Sequence, residues 1–147
     1  MAAGFTLKKS NLQKFENHLS QNFTNTVTST NYVFSYDAKI SSTAFNKNFF
    51  EDIKKIEPFG TGNPVPIFLF NDLKIIKTTI LDKKHIFSVL KSKIGFSINC
   101  ISFNSINSKI GEYLLNYKND LNVIGQINEN FWNNKNSLQL TIRDLIL

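Results

Sequence analysis

Glu57-Pro58-Phe59-Gly60-Thr61-Gly62-Asn63-Pro64-Val65-Pro66 gathers two glycines, an Asn-Pro step and three prolines into one short stretch. Glycine reaches backbone angles that other residues avoid, while proline fixes its own φ and restricts the residue before it. Such a stretch is neither helix nor central strand. It reads as a rigid turn joining two structural units at a set angle, and it divides the chain into residues 1–59, a junction at 60–66 and residues 67–147. The amides of Gly60, Gly62 and Asn63 could cradle a phosphate, but no helical pattern follows them and the proline spacing favours a hinge.

Before the junction the pattern is mixed. Leu12, Phe15 and Leu19 recur at helical spacing after Ser10, a candidate N-cap. Tyr32-Val33-Phe34-Ser35-Tyr36 is aromatic and β-branched and reads as a strand. Phe45, Phe49, Ile53 and Ile56 predict an amphipathic helix over 44–56, which Pro58 helps to stop. One strand with two short helices leaves a sheet edge unpaired, so this part is expected to need cover from another chain.

After the junction the chain reads mainly as β. Strands are expected at 67–81 (interrupted at Asn71-Asp72), at 85–90 after Asp82-Lys83-Lys84, and at 95–103. A short helix capped by Ser108 follows over 108–117, then strands at 121–127 and 138–145. Three strands, a helix and two strands is the order of a five-stranded OB-fold barrel, although SH3-like and other small barrels look similar. The expected class is therefore α+β, with an α/β segment followed by an OB-like barrel that carries one helix. Residues 67–147 are expected to fold alone.

Composition bounds the function. A chain of 147 residues that is 41% hydrophobic and 13% aromatic is not disordered. Its single cysteine, Cys100, lies in an apolar run and reads as a buried, inert thiol. No signal-peptide pattern is present, and no apolar run approaches the roughly 18 residues of a membrane span. A soluble cytoplasmic protein is expected.

The net charge is +6, with only one arginine. A lysine-rich composition alone could reflect an AT-rich coding sequence, so distribution matters more than the total. Between Leu73 and Lys118 stand eight lysines against Asp82 and Glu112, which accounts for the whole net charge. A localised excess of this kind points to a polyanion.

Single-stranded nucleic acid presents charged phosphates and open base faces, so a binder combines lysines along a groove with aromatic rings. Lys74, Lys77, Lys83, Lys84, Lys91 and Lys93 supply the charge, and Arg143 adds a planar cation on the last strand. Phe87 and Phe96 fall on the second and third barrel strands, where a phenylalanine is more often core than ligand-facing. Phe131-Trp132 is placed in the turn between the fourth and fifth strands, with Trp132 suited to stacking on a base or covering the barrel end. His18 and His85 have no ligand-spaced partners, so no metal site and no catalytic residue are read from this chain. Glu129 and Asp144 read as structural carboxylates rather than an acid pair.

Three segments resemble one family, the RecJ-type single-strand-specific exonucleases. Ala2-Ala3-Gly4-Phe5 resembles the Ala-Ala-Gly step after a Gly-Gly-His motif in the DHH-associated domain. Ile56 to Pro66 is similar to Leu-Glu-Pro-Phe-Gly-x-Gly-Asn-Pro-x-Pro. Asn128-Glu129-Asn130-Phe131-Trp132 with Gln139-Leu140-Thr141-Ile142-Arg143-Asp144 resembles the Asn-Glu-x-x-Trp…Gln-Leu-x-Ile-x-Asp pattern that closes the OB domain. The resemblance implies that residues 1–59 are the end of a DHH-associated domain and 67–147 an OB domain that binds single-stranded DNA. The family is a 5′–3′ exonuclease of recombination and repair. It also implies that Mn2+ or Mg2+ belongs to a DHH catalytic domain with no counterpart here. The chain is then expected to be inactive alone, and to work with a separate chain carrying that domain. The alternatives are a free-standing OB-fold module for single-stranded DNA or RNA, or a non-functional remnant of a split gene.

Overall fold

A computed structural model describes residues 4–23, 34–132 and 135–147, apart from the side chains of Phe23 and Trp132. The chain forms two compact units, residues 1–33 and residues 34–147. In the first, a 3-10 turn at Lys9–Asn11 leads into α1 (Leu12–Phe23), and the Phe5 and Phe15 rings meet edge to face at 4.8 Å. Ser10, expected as the helix cap, lies inside the 3-10 turn instead.

The second unit starts with β1 (Ala38–Ile40), a 3-10 turn at Ser42–Ala44 and α2 (Lys47–Lys54). Of the strand expected at 32–36, the described part does not join the sheet. Phe34 to Tyr36 are irregular, and Tyr32 and Val33 lie outside the described residues. Pairing is set by Asp37, whose amide donates to Ile67 O at 2.8 Å while its carboxylate accepts from Ile67 N at 2.7 Å. That clamp places β1 parallel to Phe68–Phe70. Asn46 caps α2, its Oδ1 accepting from Phe49 N at 3.0 Å, so the helix starts later than its hydrophobic period suggests. Phe50 and Ile53 are buried, whereas Ile56 is exposed past the helix end.

The Gly/Pro junction folds back on itself. Gly60 and Asn63 exchange backbone hydrogen bonds at 2.8 and 3.1 Å. The Asn63 amide donates to Ile56 O at 2.7 Å and to Pro58 O at 3.1 Å, which satisfies two carbonyls of the segment that follows α2. Asn63 is therefore occupied with the chain's own backbone.

The remaining strands are β2 (Phe68–Leu81), β3 (His85–Ser92), β4 (Ser97–Ser102), β5 (Leu121–Trp132) and β6 (Lys135–Ile146), with α3 (Lys109–Asn116) between β4 and β5. They pair in the order β2-β3-β4-β6-β5, and β5 returns to pair with β2. The β4–β6 pairing is parallel and the others around the ring are antiparallel. This is the closed OB-fold barrel, and closure removes the sheet edges that an open β-sheet would expose. Register shifts in β2 at Phe70/Leu73 and Ile75/Lys77, and in the β5–β6 pairing at Ile124/Gly125, where β6 carries the extra residue Arg143, supply the bends that closing the sheet requires.

Alternation fills the interior with Phe70, Leu73, Ile86, Leu90, Ile98, Cys100, Val123 and Leu140, all fully buried. Burial pushes the Cys100 thiol well above its ordinary value, consistent with an inert core residue. Leu114 of α3 joins the core, and Ser108 Oγ accepts the Gly111 amide at 3.2 Å as the expected cap. Gly111 lies so close to the Ser105 carbonyl that a Cβ would overlap it. Phe45, Phe50 and Ile53, all from before residue 67, belong to the same core cluster. The hydrophobic core is thus built by residues on both sides of the junction.

Candidate nucleic-acid interface

Because side chains alternate along a strand, burial of Ile86, Ser88 and Leu90 sends His85, Phe87, Val89 and Lys91 of β3 to the outer face. The register then assembles rows across three strands. Lys74 stands opposite Lys91, which stands opposite Ser97. Lys77 faces Val89, which faces Asn99. Thr79 faces Phe87, which faces Ile101. Leu81 faces His85, whose ring meets Phe103 edge to face at 5.3 Å.

Beyond that last row, Lys83 and Lys84 project from the β2–β3 turn. Asp82 and Lys83 have φ of 49° and 55°, and Lys84 N donates to Leu81 O at 3.0 Å. Positive φ at both central residues belongs to the type I′ turn that suits a twisted hairpin. The face therefore carries lysines at both ends and rings between them. Among the described residues, Lys74, Lys77, Lys83, Lys84 and Lys91 are exposed and take part in no ion pair.

Other residues singled out in the sequence stand apart from these rows. Lys93 forms ion pairs with Asp72 at 3.0 Å and Asp120 at 3.4 Å, and the Asp72 hydrogen bond raises its pKa further above the ordinary lysine value. Phe96 is not on the third barrel strand. It ends the turn before β4, where its amide donates to Ser92 Oγ at 3.1 Å and its carbonyl accepts Ser92 N at 2.8 Å. Arg143 donates through Nε and Nη2 to Gln126 Oε1 at 3.2 and 2.7 Å, and Gln126 in turn donates to Val65 O at 3.1 Å. That arginine fastens β5 and β6 to the junction. Trp132 closes the β5–β6 pairing opposite Lys135, so it lies on a strand end rather than in a turn, and its side chain is outside the described residues. Exposed Phe131 pairs with Asn136 beside it.

Phe103 was not singled out in the sequence, yet it is 59% exposed beside His85. The Asn104 amide donates to His85 Nδ1 at 2.9 Å, which leaves the ring proton on Nε2. Phe103 continues the alternation of exposed Ser97 and Asn99 just past the end of β4, with Ile101 in between buried.

The described residues do not fit a divalent-metal site. No three His, Cys, Asp or Glu side chains gather at ligand distance among them. Glu129 accepts from Lys54 at 2.8 Å and Asn136 at 2.7 Å, and the Lys54 hydrogen bond leads in holding its carboxyl below the usual range. Asp144 accepts its neighbour's amide, Leu145 N, at 2.8 Å. Both carboxylates are thus taken up by hydrogen bonds within the fold. No helix among the described residues is long and apolar enough to cross a membrane.

The closed five-strand ring, with its helix between the third and fourth barrel strands, defines an OB-fold domain. The RecJ OB domain family matches residues 36–144, and the chain belongs to that family. The single-stranded-DNA-specific exonuclease RecJ of Bacillus subtilis (strain 168) is 24% identical over 148 aligned positions, covering 98% of this chain and 18% of that protein. Two structures of RecJ from Thermus thermophilus share the fold. The Mg2+ complex aligns with a TM-score of 0.54 at 21% identity, over 72% of this chain and 15% of that one. The Mn2+ complex aligns at 0.51 and 23%, over 67% and 13%. The chain thus spans less than a fifth of the length of these relatives.

Proposed function

We propose that the outer face of β2, β3 and β4 grips single-stranded DNA for a RecJ-type 5′–3′ exonuclease of recombination and repair. The observation that carries this reading is the array of lysines outside any ion pair among the described residues, Lys74, Lys77 and Lys91 at one end and Lys83 and Lys84 at the other, around Phe87 and the His85–Phe103 pair. Lysines track phosphates while rings stack on bases, a combination that suits an unpaired strand better than a duplex. Strand cleavage then belongs to a DHH catalytic domain with bound Mn2+ or Mg2+, in the same protein or a partner chain in the cytoplasm. The segment before residue 36, outside the part that the OB domain family matches, would then be the end of the DHH-associated domain.

The test is fluorescence anisotropy with labelled single-stranded DNA, duplex DNA and RNA at several salt concentrations. The reading expects preference for single-stranded DNA, with affinity falling steeply as salt rises because bound phosphates release counterions. A folded sample that binds none of the three, or binds all without salt dependence, overturns it.

A further inference from the structure

We infer that the cleft beside Asn71 is a pocket for a single unpaired nucleobase, at the edge of the lysine-bearing face. This proposal takes its ligand class from the grip reading above. The cleft encloses about 460 Å³ between β1, the β2 bulge and the β3–β4 turn, with Ile40, Ser42, Asn71, Asp72, Lys93 and Ile94 among its lining residues. That volume lies within the usual range for small-molecule sites.

Asn71 Oδ1 is the decisive atom. It is buried and meets no hydrogen-bond donor among the described residues. A buried acceptor without a partner costs free energy, so native proteins keep few of them without a reason. The backbone around it is held in place. The Asp72 amide donates to Asn122 Oδ1 at 3.1 Å, the Asp72 carboxylate binds Lys93, and Asp72 itself has a left-handed φ of 54°. A pinned bulge that leaves an unsatisfied amide oxygen buried in the wall of a cleft is the kind of preorganised geometry found at binding sites, and a base would reach that oxygen once the Asn71 side chain turns towards the cleft.

Charge then selects the part of the ligand that enters. Lys93 is matched by Asp72 and Asp120, so the inner wall offers no surplus positive charge to a phosphate. A neutral, planar group that supplies a donor to Oδ1 fits better. A side-chain amide is complementary to a base edge, with adenine its best-known partner. Ile40 and Ile94 offer apolar surface for the ring, and exposed Lys39 remains at the rim for a flanking phosphate.

The cleft is continuous with the face. A smaller hollow of about 130 Å³ runs from Lys74 and Lys91 to Asp72, Ser92 and Lys93, and those last three also line the cleft. A strand lying over Lys74 and Lys91 could therefore turn one base in towards Asn71.

The test is an NMR titration of the full 15N-labelled chain with deoxyadenosine monophosphate, and separately with deoxyribose 5-phosphate. Saturable shifts of the Asn71 side-chain amide and the Ser92 and Lys93 backbone amides are expected with the nucleotide alone. No saturable shift at millimolar nucleotide, or equal shifts with the sugar phosphate, overturns the base pocket. In parallel, Asn71→Leu is expected to melt no lower than wild type, to lose the nucleotide response, and to weaken strand binding several-fold at an unchanged salt slope. If the variant fails to fold, the wild-type titration decides. A nucleotide response in a chain that binds no strand leaves the cleft standing and the grip reading overturned. Normal strand binding with no nucleotide response does the reverse.

Discussion

Lys74 on β2 and Lys91 on β3 stand directly opposite each other on the outer face of the barrel, and no acidic side chain pairs with either among the described residues. Like charges placed directly across a strand pair oppose folding. A fold that keeps them gains nothing in stability from the arrangement, whereas a bound phosphate would relieve it.

Lys74→Glu is therefore expected to leave the melting temperature unchanged or raise it slightly, while weakening single-stranded DNA binding. The logarithmic salt slope should become shallower by about 0.7 for each phosphate that is no longer neutralised. A variant that binds as tightly as wild type at low salt would show that this row does not meet the strand.

Phe103→Ala separates stacking from folding. The ring is mostly exposed and its partner in the fold is the edge of His85. Stability should move by no more than about 0.5 kcal/mol, as for an ordinary surface substitution. Affinity for single-stranded DNA should fall by about 1–3 kcal/mol if a base stacks there. Thermal melts and anisotropy on the same sample give the two numbers. Equal binding by wild type and variant would remove Phe103 from the interface.

The shared core makes a prediction about truncation. Phe45, Phe50 and Ile53 are buried in the cluster that also holds Phe70 and Leu73. Each fully buried side chain of this kind is worth roughly 1.5–3 kcal/mol. Losing all three approaches the whole stability of a small domain. A chain of residues 67–147 should fail to fold, or melt far below residues 34–147. Phe50→Ala in the full chain should cost about 3–5 kcal/mol. Equal melting temperatures for the two truncated chains would refute the shared core.

The barrel order was legible because its signals are local. Ile86 and Leu90 alternate inward on β3, Ser108 caps α3 three residues before Gly111, and Asn71-Asp72 marks a bulge. What escaped depended on interactions between distant residues. Asp37 clamps Ile67 across thirty positions and so moves the first strand to Ala38–Ile40. Asp72 and Asp120 lie just outside the lysine-rich stretch in sequence, yet the fold brings both to Lys93. Arg143 looked like a free cation for the same reason, because nothing in its neighbours shows that Gln126 holds it. β5 and β6 run longer than their apolar alternation, since polar Asn128, Asn130 and Asn136 pair with each other's strands rather than with the core.

The tie between α2 and β5 depends on pH. Lys54 Nζ meets Glu129 Oε2 at 2.8 Å, and that hydrogen bond is the leading cause both of the raised Lys54 pKa and of the lowered Glu129 pKa. The depressed carboxylate contributes stability above its ordinary value of 4.5, and this is lost as pH falls through its lower folded value. The raised lysine contributes fully below its ordinary 10.5, and this is lost as pH rises through its higher folded value. Lys54→Met should therefore melt a few degrees below wild type across the whole neutral range, with the gap closing below pH 4.5 and above pH 10.5. Because the pair is partly open to solvent, added salt should narrow the gap at neutral pH as well. A gap that persists unchanged in acid would show that Lys54 stabilises through its position over the Phe50 ring, 4.8 Å away, rather than through Glu129.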